Sequence, residues 1–219
     1  MKRKFIVANW KSNFTSLEVN QWIERFKNYD LGFTNKDVII CPPFVMLPIL
    51  KSYLSNHKSS IKLGAQNVSP FDEGAYTGEV SAKQIKEFAD YVLIGHSERR
   101  KNFMESDEIL FKKVELANKY GLAPIFCVQD ETTKIPENVK MVAYEPVFAI
   151  GTGNPDNPET AEKIAKQIKE NTKVTTVLYG GSVTSKNVKD FTQTPDINGV
   201  LVGGASLDAQ EFYKIIQNS

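Results

Sequence analysis

Ala143-Tyr144-Glu145-Pro146-Val147-Phe148-Ala149-Ile150-Gly151-Thr152-Gly153 changes character halfway along. The run that leads into it, Met141-Val142-Ala143-Tyr144, is short and apolar with no helical spacing, and Pro146 cannot continue a sheet ladder. A buried strand therefore stops with Glu145 at its tip. A carboxylate held between apolar neighbours where a strand gives way to a loop is poorly solvated and is a candidate general base. A lone glutamate in such a place more often just marks the strand end. Here a small-residue segment follows, Ala149 to Gly153, whose glycines can act as hinges and turn backbone N–H groups towards an anion. The segment reads as a base beside a lid.

The same alternation of a short apolar run and a helical stretch extends outward in both directions. Upstream, Phe5-Ile6-Val7-Ala8, Val38 to Cys41, Ile61 to Ala65, Tyr91 to Ile94 and Ala123 to Val128 read as strands one to five. Downstream of Met141 to Tyr144, Thr175 to Tyr179 and Gly199 to Val202 are strands seven and eight. Helices are expected over Leu17–Tyr29, Met46–Leu54 with Pro48 in its first turn, Ser81–Phe88, Asp107–Tyr120 ended by Gly121, Asn157–Asn171 opening on Asn-Pro, Ser185–Thr192 and Leu207–Gln217. Eight short apolar strands suit a parallel sheet buried on both faces, and no Pro/Gly/Ser-rich linker divides the chain. The economical architecture is one closed (β/α)8 barrel over residues 1–219. An open doubly wound sheet is the rival, but no Gly-x-Gly-x-x-Gly follows the first strand. One unit breaks the rhythm. Asp130 to Asn138, with Pro136 inside it, is too short to return the chain as a helix, so a shortened or missing fifth helix is expected, with a polar or re-covered barrel flank.

Composition excludes several classes. The chain has 219 residues, 41% hydrophobic, with 27 basic against 26 acidic side chains, so it has no net field to attract nucleic acid or an anionic membrane. The start, Met1-Lys2-Arg3-Lys4, reads as a solvated end running into a strand too short for a signal sequence, and the expected location is the cytoplasm. Cys41 and Cys127 sit in apolar runs and read as reduced core thiols. His57 and His96 have no partner at metal-ligand spacing, so no metal site is expected.

In such a barrel the carboxyl ends of the strands gather on one face. Strand one ends in Asn9-Trp10-Lys11, strand four in Gly95-His96-Ser97-Glu98-Arg99-Arg100 and strand six in Glu145. A lysine, a histidine and a glutamate thus converge over one mouth beside a lid. Strands seven and eight end in Gly180-Gly181-Ser182 and Gly203-Gly204-Ala205, where barrels bind phosphate through backbone N–H groups.

On these segments, together with Ala65-Gln66-Asn67, Gly74-Ala75-Tyr76-Thr77-Gly78-Glu79 and Val202 to Leu207, the chain resembles the triosephosphate isomerase family over essentially its whole length. The resemblance implies a TIM barrel and a cofactor-free homodimer. It implies interconversion of dihydroxyacetone phosphate and glyceraldehyde 3-phosphate in glycolysis and gluconeogenesis. It also implies Glu145 as base, His96 as electrophile, Lys11 as the positive charge for phosphate and oxyanion, and Asn9 as its polar neighbour. Gly151, Ser182, Gly203 and Gly204 are expected to bind phosphate. Thr77, on the long Gln66–Glu79 loop, is expected to dock near Lys11 and His96 of a second copy. Two readings stand beside this one. Another phosphate-binding barrel enzyme would share the glycine cradle without the Lys11, His96 and Glu145 trio, and a non-catalytic scaffold would have no need of it. Two departures from the family motifs are visible. The family usually has Cys-Val-Gly-Glu after strand five and Trp in the lid, where this chain has Cys127-Val128-Gln129-Asp130 and Phe148. Together they suggest a coupled change in how the lid is held.

Overall fold

The computed structural model describes residues 3–29, 32, 35–57 and 59–219. The solvated start expected at Met1 and Lys2 lies outside them. Eight parallel strands pair in sequence order and close on themselves: β1 (Lys4–Asn9), β2 (Lys36–Cys41), β3 (Lys62–Ala65), β4 (Tyr91–Ile94), β5 (Ala123–Val128), β6 (Met141–Tyr144), β7 (Thr176–Tyr179) and β8 (Gly199–Val202). The β1–β8 pairing, with Val7 opposite Leu201, shuts the barrel. The helices are α1 (Ser16–Phe26), α2 (Leu47–Asn56), α3 (Ala82–Lys86), α4 (Ser97–Asn102), α5 (Asp107–Lys119), α6 (Pro158–Asn171), α7 (Val188–Thr192) and α8 (Ala209–Asn218).

The period of two along each strand sorts the core into two layers. Val7, Ile39, Cys41, Leu93, Ile125, Cys127, Ala143, Leu178 and Leu201 fill the barrel interior. Their neighbours, among them Ile6, Ala8, Val92, Ile94, Phe126, Val142, Tyr144 and Tyr179, pack outward beneath the helices. Continuing the same alternation past the strand ends places Asn9, Glu145, Gly180 and Gly203 in inward register at one rim. The first and last helices are joined by an aromatic seam: Trp22 stacks on Phe26 at 4.4 Å, Phe26 lies 5.9 Å from Phe212, and Tyr29 stacks on Tyr213 at 4.3 Å.

Helix termini follow the sequence signals. Thr15 and Glu18 form a capping box at α1, Ser81 and Gln84 another at α3, and Asn157 caps α6 with Pro158 at its first position. Two expectations need correction. The segment after Gly95 continues as a helix, α4, where the sequence suggested only a strand tip. The helix expected from Ser185 starts at Val188, because the Asn187 carboxamide accepts from Thr184 N at 2.8 Å and donates to Ser182 O at 3.1 Å, which folds Thr184–Asn187 as a turn.

No helix lies between β5 and β6, as the short connection requires. Residues 129–140 form turns around an irregular middle rather than one extended run. Val139 is buried, Ile135 is partly buried against the core, and Glu131, Lys134, Glu137 and Asn138 face outward. The flank is thus re-covered by two aliphatic side chains beneath a polar surface.

Candidate active site

Strand geometry builds the site from residues far apart in sequence. Asn9 ends β1, and its Oδ1 accepts from Lys11 N at 3.0 Å. That bond, and the Gln66 carboxamide donating to Lys11 O at 2.9 Å, hold Lys11 in the left-handed region at φ 52°. The Lys11 ammonium pairs with the Glu98 carboxylate. Gly95, at φ 75°, turns the chain out of β4 so that His96 sits at the start of α4. Glu98 N donates to His96 Nδ1 at 3.2 Å, which assigns the ring proton to Nε2.

Glu145 is 2% exposed. Its Oε2 accepts from Ser97 N at 3.0 Å and its Oε1 lies 2.9 Å from His96 Nε2. The carboxylate is therefore docked against the start of α4, leaving the centre of the mouth open. A Cβ on Gly180 would come within 3.1 Å of Glu145 Cγ, so glycine there leaves room for the glutamate stem. Two opposed influences act on His96. Burial disfavours its charged form, but the Glu145 and Glu98 carboxylates outweigh burial and the Lys11 charge, and its pKa stands above the ordinary value. Most of that upward pull belongs to Glu145 in its docked position. Apart from Glu145, burial and Lys11 favour a neutral ring against the Glu98 carboxylate, and the Glu98 N–H aimed at Nδ1 places the proton of a neutral ring on Nε2.

The cleft between these groups has a volume of about 280 Å³, and Asn9, Lys11, His96, Glu145, Gly151, Ser182, Gly203 and Gly204 all line it. Every site residue expected from the strand tips and the lid is thus brought together. Thr77 is not among them. It is exposed at the end of the Gln66–Glu79 arm, on the surface of the single chain. Residues that sequence reading did not single out also contribute: Ser97 and Glu98 hold the base and the lysine, and Ile150 and Leu201 add apolar walls. Ser97 and Glu98 lie inside the quoted segment that follows Gly95, so the signal was present without a role attached.

The lid leaves β6 through a 3-10 turn, Val147–Ala149, with Val147 and Phe148 exposed. It is tied to the β7 rim: Ser182, itself at φ 48°, donates from Oγ to Ala149 O at 2.6 Å and accepts from Gly153 N at 3.1 Å. Asp130 is committed elsewhere, its Oδ1 accepting from Thr132 N, Thr132 Oγ1 and Thr133 Oγ1. Cys41 and Cys127 are buried free thiols, and burial pushes both pKa values up, away from reactive thiolate. Among the described residues, no three His, Cys, Asp or Glu side chains gather as a metal site would need. No helix among them is long and apolar enough to cross a membrane.

Comparison with known proteins identifies the family. The family model described as triosephosphate isomerase matches residues 4–219. A triosephosphate isomerase of Dictyoglomus turgidum is 39% identical over 251 aligned positions covering all of both chains. One of Mesomycoplasma hyopneumoniae is 40% identical across 99% of this chain and all of the relative. One of Hahella chejuensis is 40% identical across 99% of this chain and 98% of the relative. The alignments run longer than the 219 residues of this chain, so the relatives carry positions that it lacks. The chain belongs to the triosephosphate isomerase family.

Proposed function

We infer that this isomerase interconverts dihydroxyacetone phosphate and D-glyceraldehyde 3-phosphate through an enediolate, in glycolysis and gluconeogenesis. The observation that carries the reading is the meeting of Lys11, His96 and Glu145 with the Gly151, Ser182, Gly203 and Gly204 backbone in one cleft. A hydrogen next to a carbonyl is weakly acidic, so its removal needs a base at the carbon and a donor at the oxygen. Glu145 leaves Ser97 and His96, takes the proton from one carbon, and the electron pair moves into the enediolate. His96 Nε2–H hydrogen-bonds the oxygens as charge builds on them, a proton passes by way of this ring from the hydroxyl oxygen to the former carbonyl oxygen, and Glu145 returns its proton to the neighbouring carbon as the new carbonyl forms. This division between a glutamate base and a neutral histidine is the one known for the triosephosphate isomerase family. Lys11 offsets the phosphate and oxyanion charge, with Asn9 fixing its backbone. The lid excludes water so that the enediolate does not shed its phosphate.

The whole chain, residues 1–219, acts as one catalytic domain, works in the cytoplasm and needs no cofactor. The functional unit is a homodimer in which Thr77 on each arm approaches Lys11 and His96 of the other copy. A coupled assay with glyceraldehyde 3-phosphate on the purified chain tests the activity. Turnover that survives chelator treatment and dialysis is the expected result, and none at all would refute the reading.

A further inference from the structure

The lid's far end contains a residue that neither the base nor the phosphate cradle accounts for. From Gly151 to Asn157 every residue is exposed except Asp156, which is buried at 9% exposure. A lone carboxylate buried in an otherwise exposed loop has to be compensated. Its Oδ2 accepts from Tyr144 OH at 3.2 Å, and its Oδ1 accepts from Asn157 N at 2.7 Å. Its own N–H donates to Tyr179 OH at 2.7 Å. Both tyrosines are essentially buried, and burial holds their hydroxyls protonated, with the Asp156 carboxylate adding to it at Tyr144 and with Tyr179 pushed up to about 12.

The two tyrosines stand at informative places. Tyr144 immediately precedes Glu145 at the end of β6, and Tyr179 immediately precedes Gly180-Gly181-Ser182 at the end of β7. Their strands are joined there by Gly180 N donating to Tyr144 O at 2.8 Å. Tyr179 is stacked on Phe191 of α7 at 3.8 Å, and a Cβ on Gly181 would fall 2.4 Å from its hydroxyl. Asp156 is flanked by Pro155 and by Asn157-Pro158, which fix the backbone on either side, while the lid's glycines at positive φ, Gly151 and Gly153, lie before it. The lid thus has its glycine turns in the middle, held to the rim by the Ser182 hydroxyl, and a buried, proline-flanked attachment at its exit.

We propose that Asp156 is a positioning residue for the isomerisation. Its carboxylate, held by Tyr144, and its backbone N–H, held by Tyr179, pin the lid's far end to the two strands that carry the base and the phosphate-binding glycines, so that closure brings the Gly151 N–H to one fixed place over the cleft. This rests on Glu145 being the base, because the chemical value of the pin is that the lid end and the base share one support.

The test compares Asp156→Ala, Asp156→Asn, Tyr144→Phe and the Asp156→Ala/Tyr144→Phe double variant with the parent. It measures turnover, KM, melting temperature and the inorganic phosphate lost per turnover from glyceraldehyde 3-phosphate. A misplaced lid exposes the enediolate, so Asp156→Ala should lower turnover about tenfold and raise phosphate loss per turnover by a similar factor. Tyr144→Phe should do the same in direction, and the double variant should be no worse than Asp156→Ala, since both remove one contact. Asp156→Asn keeps an acceptor oxygen and should stay within about threefold of the parent. Phosphate loss within about twofold of the parent in both Asp156→Ala and Tyr144→Phe would overturn the proposal, even if both melt earlier, because that is what a purely structural contact would give. Failure of the base assignment would show separately, as turnover retained in Glu145→Gln.

Discussion

Glu145 reaches the mouth because it is the next inward position after Met141 and Ala143, and it is docked there by Ser97 N and His96 rather than by solvent. Replacing it with glutamine keeps the shape and removes the proton acceptor. Turnover should fall by about 10²–10⁴ while binding of a phosphate-bearing inhibitor largely survives, and a loss under about tenfold would sink the assignment. His96→Asn should likewise damage turnover more than binding. These residues were legible in the sequence because a chemically distinct side chain at a strand end has only one face to join. The supports were not. Tyr144 and Asp156 are 12 positions apart, Asp156 and Tyr179 are 23, and Lys11 and Glu98 are 87, and no local spacing marks any of these contacts. Asp156 in particular sits in a proline-rich polar stretch, where an aspartate reads as one more solvated turn residue.

At the scale of elements, strands and long amphipathic helices could be read because burial imposes their period, and α4 could not, because Ser97 is its one buried residue. It forms instead through its start, where Arg99 N and Arg100 N donate to His96 O and the His96 ring caps Glu98 N. The missing fifth helix could be read from length alone, but not the way its place is filled. Val139 is 1% exposed, so Val139→Ala should cost about 2 kcal/mol in a urea titration, and a change under about 0.5 kcal/mol would mean the strap covers nothing. The two departures at Asp130 and Phe148 suggested a coupled pair, yet Asp130 Oδ1 is committed to its own turn and Phe148 is 64% exposed. The expected coupling in a Phe148→Trp, Asp130→Glu double-mutant cycle on turnover is therefore within about 0.5 kcal/mol of zero. A larger value would show that lid closure breaks the Asp130 turn and brings the two together.

For the whole molecule, the question is what the Gln66–Glu79 arm does. It is too long for a simple connection between β3 and α3, and the exposed apolar side chains Val45, Phe71, Tyr76, Phe103 and Met104 are more than a lone chain needs on its surface. The arm is nonetheless braced rather than loose: Phe71 stacks on Tyr76 at 4.3 Å, Tyr120 OH donates to Asp72 Oδ1 at 2.6 Å, and Lys119 pairs with Asp72 at 2.5 Å. Bracing a segment before it meets its partner lowers the entropy lost on association. The Lys119 and Tyr120 side chains hold the Asp72 carboxyl at about 2, well below the usual carboxylate range. A carboxylate with a lowered folded-state pKa stabilises the structure above its unfolded pKa, and that contribution is lost as pH falls through the folded value. With its arm braced and its apolar side chains exposed, the chain should sediment as a dimer at micromolar concentration near neutral pH. Its folding stability should fall between about pH 4 and pH 2 in a way that Asp72→Asn, already lacking the charge, does not share. Sedimentation velocity at neutral pH reads the dimer, and urea titrations of both proteins across that acid range read the contribution of Asp72. A fully active monomer at neutral pH would remove the dimer altogether, and identical acid profiles for parent and Asp72→Asn would show that the arm is held by its aromatic stack and not by Asp72.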